Sequence, residues 1–140
     1  MLKKETRYDS NAYRISDLVA SPTLVDDGFE EGMLLQFGAT GEMELADGTK
    51  PAFMAMSSCR NGRNQFVGKT VNAVSVMFGA ARVATTNFVA EDTFEAGTPL
   101  YAAAGGLVTA TKGAYLVGYA AKAPEDGYLT MFLTAPIPVA

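Results

Sequence analysis

The stretch Gly62-Arg-Asn-Gln-Phe-Val-Gly68-Lys-Thr is the part of the sequence closest to a chemical motif, the phosphate-binding P-loop. A P-loop has four residues between its two glycines, whereas five separate Gly62 from Gly68. The motif must also open a helix whose backbone amides face the phosphate. Residues 71–78 have the period of two that is typical of a half-buried strand instead. The sequence therefore does not predict nucleotide binding.

The side chains that most often carry catalysis are missing or poorly placed. The chain has no histidine, which removes the commonest general base and the favoured ligand of catalytic zinc. The acidic residues Asp26, Asp27, Glu30 and Glu31 do not have the spacing of an EF-hand calcium loop. Paired carboxylates for glycoside hydrolysis stay open, but these residues and Asp47 lie in contexts typical of exposed turns. We therefore expect that the protein is not an enzyme and has no cofactor and no metal.

Charge and hydropathy narrow the partners further. The 140 residues carry a net charge of −4 and a pI of about 4.7, which offers no attraction to nucleic-acid phosphates or to an anionic membrane surface. A membrane span needs roughly 18 or more consecutive apolar residues, and no apolar stretch approaches that length. Cys59 is the one cysteine, so an intrachain disulfide is impossible and a thiolate zinc site has no second ligand. We expect no nucleic acid and no membrane among the partners.

Two basic and aromatic segments are candidates for binding another protein. The loop 60–64 is compact and basic, and its guanidinium groups suit bidentate contacts with carboxylates, although a solvated hairpin turn is the alternative. Residues 1–24 are polar, with little apolar content for a core, and indicate an N-terminal arm. Arginine and tyrosine are enriched where interfaces are strongest. The candidate partner-binding residues are Arg7, Tyr8, Tyr13, Arg14, Arg60 and Arg63.

Turn residues divide most of the chain into short strands, which predicts an all-β fold. The exception is 11–20, where apolar residues at helical spacing before Pro22 predict one or two turns of helix. The predicted strands cover 33–37, 42–45, 52–56, 71–78, 82–86, 99–102, 107–111, 114–121 and 129–133.

The sequence also contains an internal similarity. Asp-Asp-Gly-Phe-Glu-Glu-Gly at 26–32 aligns with Glu-Asp-Thr-Phe-Glu-Ala-Gly at 91–97, and we call the shift between these two segments the repeat offset. The first of the two similar stretches contains extra residues, around 63–73. Beyond them, Met77-Phe78 matches Met131-Phe132. Four glycine pairs also coincide at the repeat offset, which predicts repeated turns: Gly32 with Gly97, Gly41 with Gly106, Gly48 with Gly113, and Gly62 with Gly127.

The similarity predicts an ancient duplication that produced two β units, residues 25–62 and 90–127. We expect the single domain 25–140 to be a small barrel or a sandwich in which the units pack face to face about a pseudo-twofold axis. The alternative is that two β-meanders share their turn glycines by convergence.

Three segments of the second unit carry a resemblance to a known family. They are Phe-Glu-Ala-Gly-Thr-Pro-Leu-Tyr at 94–101, Gly-Gly-Leu-Val-Thr at 105–109 and Leu-Val-Gly-Tyr-Ala at 116–120. This pattern of glycine-punctuated strands resembles the small β-barrel decoration proteins of tailed bacteriophages, also called cement proteins. The resemblance covers residues 90–133 and, through the repeat, residues 25–56, and it contains no catalytic signature.

The resemblance implies a structural virion protein that is made in the host cytoplasm and binds the capsid exterior. Its partners would be the major capsid protein and two further copies of itself in a homotrimer, and residues 1–24 would be the arm that touches the capsid. Capsid stabilisation needs no reactive group, only many summed contacts. Two other functions stay open: a tail or fibre-base component of a virion, and a β-barrel that binds a small ligand. A ligand-binding barrel should enclose a roomy cavity, whereas a cement protein should have a packed interior.

Overall fold

The computed structural model describes residues 2–4, 13–56, 59–60, 63–64 and 73–139. Short strands dominate these residues, and the one helix among them has six residues. In chain order the elements are β1 (Leu2–Lys4), β2 (Tyr13–Val19), α1 (Pro22–Asp27), β3 (Leu34–Phe37), β4 (Met43–Leu45), β5 (Ala52–Ala55), β6 (Cys59–Arg60), β7 (Arg63–Asn64), β8 (Ala73–Phe78), β9 (Ala81–Thr85), β10 (Pro99–Ala103), β11 (Leu107–Thr109), β12 (Tyr115–Ala120) and β13 (Leu129–Pro138).

The strands form two large antiparallel sheets and a small hairpin. The six-stranded sheet has the order β1-β9-β13-β12-β10-β11, and the five-stranded sheet has the order β2-β8-β5-β3-β4. Within the described part of the chain, strands β6 and β7 pair only with each other. The predicted all-β class is confirmed. Of the two predicted architectures the structure is the sandwich, because both sheets are open and packed on one another.

The two sheets repeat one strand order. We call residues 13–56 and 73–78 unit 1, and residues 81–138 unit 2. Reading from one edge, unit 1 has β4-β3-β5-β8-β2 and unit 2 has β11-β10-β12-β13-β9. Gln36 pairs with Glu44 in unit 1, and Tyr101 pairs with Thr109 in unit 2. The register of these strands therefore recurs at the repeat offset seen in the sequence.

Backbone hydrogen bonds recur at the same offset. The Gly32 N–H donates to the Ala55 carbonyl oxygen at 2.9 Å, and the Gly97 N–H donates to that of Ala120 at 2.7 Å. Both glycines have positive φ, at 94° and 89°, the region that glycine enters without steric cost. These two turns are equivalent, as the sequence predicted.

The second predicted glycine pair behaves differently. Gly48 has a φ of 94°, whereas Gly113 is not among the residues with positive φ. A Cβ on Gly113 would lie 3.5 Å from the Gly48 carbonyl oxygen, so the two turns are neighbours in the sandwich. The prediction that they have equivalent conformations is wrong.

The last strand of each unit departs from the repeat offset. Ala55 pairs with Val76, and its equivalent Ala120 pairs with Met131, so Val76 and Met131 are counterparts. The counterpart of Met77 is therefore Phe132, and not Met131 as the sequence match suggested. The first of the two similar stretches therefore contains one extra residue fewer than the match of Met77 with Met131 implied.

Over residues 13–19, strand β2 replaces the helix that was predicted for residues 11–20, of which 11 and 12 lie outside the described residues. Ile15 pairs with Val76 and Leu18 with Val74, with a register shift between them. This irregularity places residues three apart on one face of the sheet, which reproduces helical spacing within a strand. The helix starts later: Ser21 is its N-cap, and the Ser21 side chain accepts a hydrogen bond from the Leu24 N–H at 3.1 Å. Proline is favoured at the first helical position, so Pro22 begins this helix and does not end an earlier one.

The described part of residues 1–24 packs with the domain. Strand β1 extends the six-stranded sheet by pairing with β9, and β2 is an edge strand of the five-stranded sheet. Ala20 and Leu24 are buried. The expectation that this segment contributes little to the core is therefore wrong for these residues.

The hydrophobic core has two layers. We call the face of each sheet that carries Leu35 in unit 1, or its equivalent Leu100 in unit 2, the front, and the opposite face the back. The front of unit 2 packs against the back of unit 1. The front of unit 1 is partly covered by the chain's own α1 and Phe29. The inter-sheet layer includes Leu34, Ala52, Met54, Met77, Val83, Leu100, Ala120, Met131 and Leu133, and the second layer includes Ala20, Leu24, Phe29, Leu35, Met43, Ala55, Val74 and Val76.

The sheets therefore stack front to back, and the expected face-to-face pseudo-twofold packing is wrong. A twofold would bring two equivalent faces together. Here Leu35 and Leu100 are equivalent by register but lie in different layers. Because α1 and Phe29 already occupy the front of unit 1, that face is not available to the second sheet.

Candidate interaction surfaces

The back of unit 2 carries a row of side chains that are exposed or, for Arg82, half-buried. Four adjacent strands place Arg82, Phe132, Tyr119 and Pro99 side by side in register. Phe132 is 50% exposed and Tyr119 is 42% exposed. We call these four residues the outer row. Large apolar side chains clustered on a sheet face mark contact surfaces more often than scattered ones do.

Three of the four positions of the same row in unit 1 are buried. Arg14, Met77, Met54 and Leu34 pair across β2, β8, β5 and β3 in the order of the outer row. Met77, Met54 and Leu34 are at most 3% exposed, because the front of unit 2 covers them. One row of sheet positions is thus an internal interface in unit 1 and a surface in unit 2.

The opposite side of the sandwich presents a group of aromatic rings. Phe37 and Phe78 are 41% and 42% exposed, and Phe53 lies between them. The Phe53 ring centroid is 5.9 Å from that of Phe37, edge to face, and 6.1 Å from that of Phe78, stacked. We call these three residues the aromatic patch. Ile15, on the neighbouring strand, is 36% exposed.

A depression of about 270 Å³ lies beside α1. Its chemistry differs from the equivalent place in unit 2, where Asp92 accepts hydrogen bonds from the Ala110 N–H at 2.9 Å and from the Thr109 hydroxyl. Glu44 of unit 1 is the counterpart of Thr109 in unit 2, so a carboxylate acceptor replaces the hydroxyl donor. The Glu44 carboxylate accepts a hydrogen bond from the Gln36 side-chain amide at 2.8 Å. The depression is lined by Ser21, Thr23, Leu24, Asp27, Glu44 and Leu45.

Asp47 shapes the turn between β4 and β5. Its Oδ1 accepts hydrogen bonds from the Thr49 hydroxyl at 2.6 Å and the Thr49 N–H at 2.9 Å. The Thr49 hydroxyl first, and then its backbone N–H, hold the pKa of the Asp47 carboxyl below its ordinary value. The Asp47 N–H in turn donates to Gln36 Oε1 at 3.2 Å, so this carboxylate has a structural role.

The structure places the sequence-predicted partner-binding residues in three regions. Arg7 and Tyr8 lie outside the described residues. Tyr13 and Arg14 belong to β2. Arg60 and Arg63 pair with each other in the β6–β7 hairpin. Among the described residues, these pairings do not join β2 to the hairpin.

Sequence reasoning missed the exposed aromatic residues. Phe37, Phe78, Tyr119 and Phe132 all lie in segments predicted as strands, and apolar strand residues are expected in the core. The available signal was alternation: Phe132 lies between Met131 and Leu133, so when those two face inward Phe132 must face outward.

Within the described ranges no helix is long and apolar enough to cross a bilayer, and no group of three or more potential ligand side chains is placed to hold a metal ion. No protein-family model, curated protein or solved structure matches the chain.

Proposed function

We propose that the chain is a structural virion protein that binds the outer surface of a phage capsid, through the major capsid protein, and stabilises the shell. It acts as a homotrimer and performs no catalysis. The observation that carries the proposal is a sandwich in which the described residues form a buried apolar layer between the sheets and expose apolar side chains on both outer faces.

The filled interior favours a structural role over ligand binding. The space between the sheets is occupied by Leu34, Met54, Leu100 and Met131, each fully buried. A small-ligand barrel would instead enclose a cavity lined by a few convergent polar groups. The depression beside α1 lies outside this core, and its Glu44 carboxylate is already bonded to Gln36.

The two outer faces supply the contacts that a shell-binding protein needs. The outer row has two exposed rings beside Arg82, and the aromatic patch has three rings in mutual contact. Aromatic residues and arginine are enriched in protein interfaces. The segments that carry the resemblance to decoration proteins contribute to β10, β11 and β12, next to the outer row. A weak contact repeated over many copies on a shell becomes strong through multivalency.

The experiment is rebinding to shells. Expanded capsids of the phage that encodes the chain, assembled without it, are incubated with the purified protein and sedimented, and their thermal disruption is followed. We expect the protein to co-sediment in a saturable manner and to raise the disruption temperature of the shell. The control is the same measurement on unexpanded shells and on unrelated capsids. Absence of saturable binding to the expanded shells would refute the proposal.

A further inference from the structure

We infer that Met33 is a site of reversible oxidation, at which peroxide converts the thioether to a sulfoxide whose oxygen takes over the hydrogen bond that the sulfur accepts in this structure. Neither the capsid nor self-association is involved. The equivalent turn of unit 2, where an oxygen already accepts this hydrogen bond, carries the inference.

The turns that begin at Glu30 and Glu95 are equivalent at the repeat offset. The Met33 N–H donates to the Glu30 carbonyl oxygen at 3.2 Å, and the Thr98 N–H donates to that of Glu95 at 3.0 Å. The strand hydrogen bonds next to these turns also recur, since the Met33 and Thr98 carbonyl oxygens each accept an alanine N–H at 2.8 Å. The two turns therefore share their backbone hydrogen bonds and differ in the side chain at the fourth position.

This fourth side chain closes each turn with a different acceptor atom. The Glu95 N–H donates to Thr98 Oγ1 at 3.0 Å, and the Glu30 N–H donates to Met33 Sδ at 3.5 Å. A thioether sulfur is a weak acceptor, whereas a hydroxyl oxygen is an ordinary one. An oxygen atom bonded to Met33 Sδ would give the turn of unit 1 the kind of acceptor that the turn of unit 2 already has.

Met33 is also more accessible than most of the described methionines. It is half-buried, at the margin of the second hydrophobic layer. Met56 is half-buried too, but it packs against the inter-sheet layer, which makes it a matched control. A reagent reaches a fully buried sulfur only when the fold opens locally or globally. Four methionines are at most 3% exposed: Met43, Met54, Met77 and Met131.

The oxidation step transfers one oxygen atom from hydrogen peroxide to the sulfur. A lone pair of Met33 Sδ attacks a peroxide oxygen, so that an S–O bond forms and the O–O bond breaks. The departing hydroxide takes the proton of the transferred oxygen and leaves as water. The sulfur is oxidised and the peroxide is reduced. Methionine sulfoxide reductases return a sulfoxide of this kind to the thioether.

The same step damages a buried methionine, because it places a polar S–O group in an apolar core. At Met33 the new oxygen has the Glu30 N–H as a partner. The methionine side chain is unbranched and flexible, so the sulfur can withdraw and leave room for the oxygen beside this N–H. The oxidised turn therefore keeps its closing hydrogen bond.

The first measurement follows oxidation of the folded protein. The purified chain is incubated with hydrogen peroxide, quenched with free methionine and mapped by mass spectrometry of its peptides. We expect Met33 to be oxidised at least about tenfold faster than the fully buried methionines, which react only when the fold opens. Met33→Leu should lose this fast uptake of oxygen, and Met56→Leu should keep it. Equal rates at Met33 and at the buried methionines would overturn the inference.

The decisive measurement is the hydrogen exchange of the Glu30 amide, followed by nuclear magnetic resonance in the Met56→Leu protein. Exchange at Glu30 should slow when Met33 is oxidised, because a sulfoxide oxygen is the stronger acceptor, and should quicken in Met33→Leu, which has no acceptor there. The Glu95 amide, bonded to Thr98, should not change in either sample. The melting temperature should fall by no more than a few degrees on oxidation of Met33.

Faster exchange at Glu30 after oxidation, or loss of cooperative unfolding in protein oxidised at Met33 alone, would overturn the inference. Rebinding to capsid shells is a separate measurement, so neither outcome decides the proposed function.

Discussion

The two units share strand order and register, yet their front faces are built from side chains of different size. Phe37 and Phe53 of unit 1 correspond to Ala102 and Gly118 of unit 2. The front of unit 2 is covered by a whole sheet, so small side chains let the two sheets approach. The front of unit 1 is covered only in part, and the rings spread over the rest of it. Side-chain size on a face therefore differs with how much of that face is covered, while the strand pairing stays the same.

The back faces differ in the opposite sense. Met54 of unit 1 is fully buried, and its counterpart Tyr119 in unit 2 is 42% exposed. A single set of sheet positions can thus serve as core or as surface. This difference can be tested, because equivalent substitutions in the two units should have unequal effects.

The largest effect is expected from removing β2, the first strand of unit 1, whose equivalent in unit 2 is β9. Deletion of residues 1–20 takes away the partner of β8 and the buried Ala20. We expect a loss of cooperative thermal unfolding, or a melting temperature lower by more than about 10 °C. Deletion of residues 1–12 removes β1, which has no counterpart in unit 1, and should lower the melting temperature by only a few degrees. Equal melting temperatures for the two deletions would show that β2 does not support unit 1.

Gly118→Ala should be the most damaging single substitution. A Cβ at this position would lie 2.1 Å from the Phe132 carbonyl oxygen, a separation that the backbone must move to relieve. We expect a loss of about 3 kcal/mol or more of unfolding free energy in urea. The control is Gly105→Ala, where a Cβ meets nothing within 4 Å and only the φ of +82° opposes the substitution. That variant should lose about 1 kcal/mol, and a Gly118→Ala that loses no more than this control would refute the close approach of β12 and β13.

Met54→Ala and Tyr119→Ala compare the equivalent positions of the two back faces. Truncation of the buried Met54 leaves a cavity between the sheets and should cost about 2–5 kcal/mol of unfolding free energy. Truncation of the exposed Tyr119 should cost about 1 kcal/mol or less. Both variants are measured by urea unfolding below the concentration at which copies associate. Equal costs would mean that the two rows are equally buried and would break the comparison.

The smallest expected effect on unfolding free energy concerns the Asp47 turn, which has no counterpart in unit 2. The pKa of Asp47 is lowered in the folded state, so its stabilising contribution is present above the pKa of the unfolded chain and is lost as pH falls through the folded pKa. Unfolding free energy measured from pH 7 to about pH 2 should therefore decline less steeply below about pH 4 in Asp47→Asn than in the wild type. Near pH 7 the two should differ by about 0.5 kcal/mol or less, because the carboxylate is exposed. A variant with the wild-type slope would exclude this coupling.

The sequence predicted most of the strands and the repeat offset, since both depend on local turn chemistry. Gly32 and Gly97 are examples, because a turn that needs positive φ selects glycine wherever it recurs. The stacking of the units could not be predicted in the same way. Which face of a strand is covered depends on distant elements such as α1, and Leu35 and Leu100 look alike in sequence although they lie in different layers.

The interaction surfaces were harder to predict for a related reason. Phe132 and Met131 are neighbouring apolar residues in one strand, and only the sandwich shows that one is exposed and the other buried. The irregular pairing in β2 also imitated helical spacing, which misplaced the helix. The basic loop with Arg60 and Arg63 was visible from composition alone, but composition carries no information on where the hairpin lies.

Electron cryomicroscopy of expanded shells rebound with the purified protein tests the central claim most directly, because it shows which faces of the sandwich are covered on the assembly. The account predicts clusters of three copies on the outer surface of the shell, with the outer row or the aromatic patch of each copy covered by a neighbouring protein. Shells without added density, or copies whose outer row and aromatic patch both face solvent, would contradict the account.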